Sequence, residues 1–250
     1  LFEVNMSNLG TKKVQLMSDG WIIEEIYDPK KGRYNNYYYG KKAAPVVRMV
    51  DKISQQYAAY TLIEKDLRSV LFWLKEIDRM NPSNAERIRD PDKMNLVKGL
   101  FVAALTFYGK CFTACEGRKT KLEAKIIPEN FKETHELVMN LRHNFAAHSG
   151  AENFEDVRVS LVLHPDKKSD VKPKLFSEMM QTDFLAGGGF PFLGLVEELQ
   201  KLVLDKRNQV GEVVLEKIVR PEGKKYWYKK AKANKAFKSD SQRLAFSVQE

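Results

Sequence analysis

Apolar residues recur at spacings of three and four from Val46 through Val50, Ile53, Tyr57, Tyr60, Ile63, Leu67, Leu71 and Leu74 to Ile77. That is the period of a helix burying one stripe. It predicts a long helix that begins near Ala44 and stops before Asn81-Pro82. After a charged connection, Met94 to Cys115 is apolar on nearly every side, the pattern of a central helix. A third helix is expected after Pro128, its stripe running Phe131, Leu137 or Val138, Leu141 and Phe145, with Gly150 as its stop. A fourth covers about Leu193 to Val219, ended by Pro221.

Between the last two helices the period changes from 3.6 to 2. Val157, Val159, Leu161 and Leu163 alternate with polar positions, and Lys174 to Phe184 supplies a hairpin partner. Gly187-Gly188-Gly189 lacks the Lys-Ser or Lys-Thr that a phosphate-binding loop needs, so it reads as a turn. Before the first helix, Asp19-Gly20 and Asp28-Pro29-Lys30-Lys31-Gly32 separate short apolar and aromatic runs, the mark of strands and turns. The expected organisation is mainly α, a bundle of about four helices with a small β-hairpin and irregular basic extensions. Its parts are a strand/turn extension over 1–43, a helical domain over 44–220 with the hairpin inserted around 156–184, and a basic aromatic tail over 221–250.

The 250 residues allow one large or two small domains. No stretch is long and apolar enough for a bilayer, and no signal peptide is visible. Cys111 and Cys115, one turn apart in the apolar helix, form neither a disulfide framework nor a zinc spacing. They read as reduced core cysteines of a cytoplasmic protein. The net charge is +9, and 221–243 alone, with seven Lys and one Arg against Glu222 and Asp240, supplies two-thirds of it. A concentrated basic segment fits a polyanionic partner, above all RNA. Within it Lys224, Lys225, Tyr226, Trp227, Tyr228, Lys229 and Lys230 interleave cations with aromatics. Single-stranded RNA binders use that mixture for stacking and backbone neutralisation, and an edge strand guarded by lysines uses the same letters.

Three of the four histidines, His135, His143 and His148, fall in the third helical segment. Spaced eight and five apart, with no cysteine or carboxylate completing a set, they are a poor metal site. No metal or other cofactor is expected. Acid–base chemistry suits them better, because imidazole titrates near neutral pH. Arg142 adds a permanent forked cation able to hold a phosphate. On a straight helix Arg142 and His148 would stand about 9 Å apart along the axis and about 120° around it. Near the helix end the dipole favours the protonated ring of His148. Asn144 is placed to orient a phosphate, and His135 reads as structural.

The run Arg142-His143-Asn144-Phe145-Ala146-Ala147-His148 resembles the motif of the HEPN ribonuclease superfamily: an arginine, a polar residue, and a histidine a few positions later near the end of a bundle helix. The resemblance implies a metal-independent endoribonuclease in which the RNA 2′-hydroxyl attacks the adjacent phosphate, leaving 2′,3′-cyclic phosphate ends. It implies a homodimer whose site combines two motif helices, with catalytic Arg142 and His148 assisted by His143 and Asn144. It also implies a prokaryotic toxin or abortive-infection setting, with an antitoxin, a non-coding RNA or a phage-derived trigger as partner. The alternative is a non-catalytic HEPN-like module or regulatory subunit that holds RNA or protein on the same basic surface.

Overall fold

The structure, a computed structural model, describes residues 5–7, 10–30, 32–82, 89–118, 120–146, 155–181 and 191–231. It is mainly helical with small antiparallel sheets. The chain divides into two compact units, one of Leu1–Val50 with Val213–Glu250 and one of Asp51–Glu212.

The second unit holds the core. Helix α1 spans Lys52–Met80. It starts eight residues later than the apolar stripe suggests, because the carboxylate of Asp51 accepts from the Ile53 and Ser54 amides and so fixes the first turn there. Val46 and Val50 keep the helical spacing but are exposed. The helix ends at Asn81, whose φ of 43° is the left-handed value that closes a last turn.

Helix α2, Pro91–Phe112, is capped by Asp90, which accepts from the Lys93 amide, and has Pro91 in the first turn. Its stripe of Val97, Phe101, Ala104, Leu105 and Tyr108 packs with Ile63, Leu67, Val70 and Leu74 of α1. It stops at Phe112, so Cys111 is buried while Cys115 is exposed, which corrects the expectation of two core cysteines. Burial pushes the Cys111 thiol up to about 12, leaving it inert at neutral pH.

Beside that helix end lies a group of charges that hydrophobic patterning does not reveal. Asp66, 1% exposed, meets Lys110 at 3.2 Å and Arg118 at 3.4 Å through Oδ2, and Lys65 at 3.1 Å through Oδ1. Arg118 also donates to the Lys110 carbonyl, so the chain after α2 is tied to the end of α2 and, through Asp66, to α1.

Helix α3, Lys132–Leu141, follows a single 3-10 turn at Glu129–Phe131. Thr134, His135, Val138 and Leu141 are its buried face, and Leu137 is exposed, so Val138 is the stripe residue. Helix α4, Phe192–Val214, buries Leu195, Val196, Leu199 and Val203 in the same core. Gln200 donates to Glu64 and Lys75 pairs with Glu197 between α1 and α4.

The hairpin strands, here β6 (Glu155–Val162) and β7 (Lys174–Gln181), pair antiparallel with Leu161 opposite Leu175. The alternation is present, but Val157, Val159, Leu161 and Leu175 are exposed rather than buried. Gly150 and the Gly187-Gly188-Gly189 turn lie outside the described residues.

In the first unit the strands and turns expected over 1–43 are present, and they form one regular sheet where an irregular extension was expected, a five-stranded antiparallel meander in chain order: β1 (Asn5–Ser7), β2 (Gly10–Leu16), β3 (Trp21–Asp28), β4 (Gly32–Tyr39) and β5 (Lys42–Ala43). Gly20, at φ 87°, takes the left-handed position that the β2–β3 turn requires. The basic tail is likewise regular in its described part. The helical path runs past Val214 as a π-turn, Leu215–Val219, and residues 220–231 are helical. Pro221 does not end it, and Gly223 two residues on takes a left-handed φ of 70°. No helix among the described residues is long and apolar enough to cross a membrane.

Candidate active site at the end of α3

The end of α3 is where sequence and structure meet most informatively. His135 is 9% exposed, and its Nδ1 shares a 2.7 Å hydrogen bond with the Tyr108 hydroxyl on α2. The Phe112 ring lies 4.6 Å from the imidazole. Burial holds the His135 pKa below its usual value, and it raises that of Tyr108. His135 is therefore a neutral fixed member of the α2–α3 contact, as its structural reading anticipated.

Seven residues on, two turns along the same face, stands Arg142. Side chains on a helix lean toward its N-terminus, and the Arg142 stem accordingly reaches back over α2 at Gly109. A Cβ added at Gly109 would lie 2.8 Å from Arg142 Cγ and 3.0 Å from both Cδ and Nε. Gly109 is thus a seat for the arginine stem, and its missing side chain lets the two helices hold a half-buried cation between backbone and solvent. A glycine in the middle of an apolar helix costs about 1 kcal/mol against alanine. That cost is the one sequence signal that could have marked the position.

From Arg142 the backbone leaves α-geometry. Arg142–Ala146 is a π-turn, so the straight-helix separation expected for Arg142 and His148 does not apply beyond Leu141. Single π-turns of this kind occur often at functional sites. His143 is exposed, and Asn144 Nδ2 donates to the side-chain Oδ1 of Asn140 one turn back, which fixes the Asn144 side chain. Arg142, His143 and Asn144 are thus brought to one end of α3. His148 lies outside the described residues. Among the described residues no three His, Cys, Asp or Glu side chains gather into a metal-holding set.

The tail residues belong to the other unit. Lys224, Lys225, Tyr226, Tyr228, Lys229 and Lys230 are exposed on a helix, so the guarded edge strand is not the explanation of their pattern. Tyr226 and Lys230 stand one turn apart. Lys230 Nζ sits 5.5 Å from the Tyr226 ring and 5.2 Å from the Trp227 ring. Trp227 is half-buried and donates its indole N–H to the Val219 carbonyl at 2.9 Å, so its ring is held against its own helix.

Chemically, the α3 end carries a seated guanidinium, a group able to hold a phosphate, and at the next position an exposed imidazole, a group able to move a proton. Compared with known proteins, the chain matches no family model, and no curated protein or solved structure is similar to it.

Proposed function

We propose that this chain is a metal-independent endoribonuclease of the HEPN type, working as a homodimer. The observation that carries the reading is the seating of Arg142 on Gly109, which presents a fixed cation where the motif begins, at the π-turn ending α3. In this mechanism Arg142 neutralises charge that grows on the phosphate as the 2′-oxygen bonds to phosphorus and the bond to the 5′-oxygen breaks. One histidine takes the 2′-hydroxyl proton and another protonates the leaving 5′-oxygen. His148 from each of two chains fills these roles, with His143 and Asn144 orienting the phosphate. The exposed lysines of 224–230 hold the RNA backbone. A defence or toxin–antitoxin setting, with an antitoxin, non-coding RNA or phage-derived trigger, belongs to the same reading.

The test is purified protein with total tRNA and an unstructured RNA in excess EDTA, beside His148→Ala and Arg142→Ala. The wild type is expected to cut and both variants to lose cleavage while keeping the wild-type melting temperature within a few degrees. Undiminished cutting by His148→Ala refutes the assignment. A second reading is a non-catalytic binding module that holds RNA through the exposed lysines of 224–230. Retention of intact RNA by the wild type would select it.

A further inference from the structure

The chain's excess charge is confined to one of its two units. Asp51–Glu212 carries 24 basic and 24 acidic residues, whereas Leu1–Val50 with Val213–Glu250 carries 18 basic against 9 acidic, the whole of the net +9. A neutral unit and a strongly basic one on the same chain differ in the partners they attract, and the basic one is drawn to polyanions.

Within that unit the two faces of the N-terminal sheet are unlike. Register places Lys12, Val14 and Leu16 of β2, Ile22, Glu24 and Ile26 of β3 and Tyr34, Asn36 and Tyr38 of β4 on one face. Its charges are matched internally: Lys12 meets Glu24 at 2.5 Å, and Tyr38 and Asn36 also bond that carboxylate.

The other face carries Trp21, Tyr27, Tyr37 and Tyr39, with Lys13, Arg33 and Lys42 among them. Trp21, opposite Tyr39, meets it edge-on at 5.2 Å, and Lys42 stands opposite Tyr39 in turn. Trp21 is 40% exposed, Tyr39 58% and Tyr27 56%. Arg33 pairs with Glu25, the face's one carboxylate on β3, so the three cations still outnumber it. The rings span from the Trp21–Tyr39 row to the Tyr27–Arg33 row, six residues or about 20 Å along the strands. β-propensity alone explains an occasional exposed tyrosine. It does not explain four aromatics interleaved with three cations on one face of a sheet whose segment, Leu1–Val50, carries 8 basic against 5 acidic residues.

We infer that this face of the N-terminal sheet is a docking surface for single-stranded nucleic acid, with Trp21, Tyr39 and Tyr27 as stacking rings and Lys13, Arg33 and Lys42 following the phosphates. Every base has a π-face, so such a surface accepts single strands with little regard to sequence and rejects duplexes, whose bases are already stacked. This inference is independent of the chemistry at Arg142.

The experiment uses the full chain carrying His148→Ala, so that cleavage plays no part, in EDTA. Fluorescence anisotropy reports binding of a labelled 12-nucleotide oligouridylate and of a 12-base-pair RNA duplex. Each stacked ring is worth about 5- to 140-fold in affinity. Trp21→Leu with Tyr39→Leu, which keeps the apolar area but removes both π-faces, is expected to weaken oligouridylate binding at least ~25-fold and leave duplex binding unchanged. Trp21→Phe with Tyr39→Phe is expected to stay within about threefold of the parent, which separates stacking from any loss of folding. Lys42→Glu, at the exposed edge, is expected to lower the salt slope of binding by about one. Parental affinity in the leucine variant, an equal loss on duplex, or an unchanged salt slope in Lys42→Glu would overturn the assignment.

Discussion

Gly109→Ala probes the seat of Arg142 with one methyl group. Carbon atoms in contact rest at about 3.5–4.0 Å, and the new Cβ would start 2.8 Å from Arg142 Cγ. The stem must therefore retreat by about 1 Å. Alanine in place of glycine inside a helix contributes about 1 kcal/mol, and overpacking costs about 1–3 kcal/mol. The expected net is a loss of up to about 2 kcal/mol, a fall of no more than about 8 °C at 2–4 °C per kcal/mol. Displacing a catalytic group by about 1 Å costs about 100-fold in rate. Gly99→Ala is the control, because Gly99 lies in the same helix with nothing within 4 Å of its would-be Cβ. It should stabilise by about 1 kcal/mol and cleave normally. In an Arg142→Ala background those three contacts are gone, so Gly109→Ala should then be less destabilising than in the wild type. Thermal melts and single-turnover cleavage read both quantities. A Gly109→Ala protein that melts higher than wild type and cuts at the wild-type rate would refute the seating.

Other outcomes follow from the core. Asp66→Ala leaves Arg118 buried without its carboxylate and should cost about 3–5 kcal/mol, seen as a large drop in melting temperature. Replacing Asp66 with Leu together with Arg118 with Met should recover most of that loss. His135 has a depressed pKa when folded, so its contribution is complete above about pH 6.5 and is lost as pH falls toward the folded value. The stability gap between wild type and His135→Asn should narrow from pH 7.5 to pH 5 in urea melts; a constant gap would contradict the buried neutral imidazole. Light scattering should give twice the 28.8 kDa chain mass, and a monomer at micromolar concentration would remove the composite site.

Much of the fold was legible because it rests on local rules. The period of α1 and α2, the strand alternation before Leu163 and the turns at Gly20 and Gly32 follow from side-chain spacing and backbone freedom. The start of α1 is not legible from the period, because Val46 and Val50 continue it by coincidence while the capping carboxylate of Asp51 decides the boundary. The tail departs from its local signal at Pro221, a residue that ordinarily ends a helix but past which the helical path continues. At the candidate site, Arg142, His143 and Asn144 stood out in the sequence. Gly109 did not, since its role exists only when α2 and α3 cross, and the Asp66–Arg118 pair links positions 52 residues apart. The sheet face is visible in the sequence only as a tyrosine cluster, because register is what places Trp21, Tyr27, Tyr37 and Tyr39 on one side.

The most direct test of the central claim is end-group analysis of the products formed in excess EDTA from an RNA and from its copy carrying one 2′-deoxynucleotide at the cut site. The account predicts 2′,3′-cyclic phosphate and 5′-hydroxyl ends from the RNA and no cut at the deoxy position. Cutting at the deoxy position, or products ending in a 5′-phosphate, would contradict it.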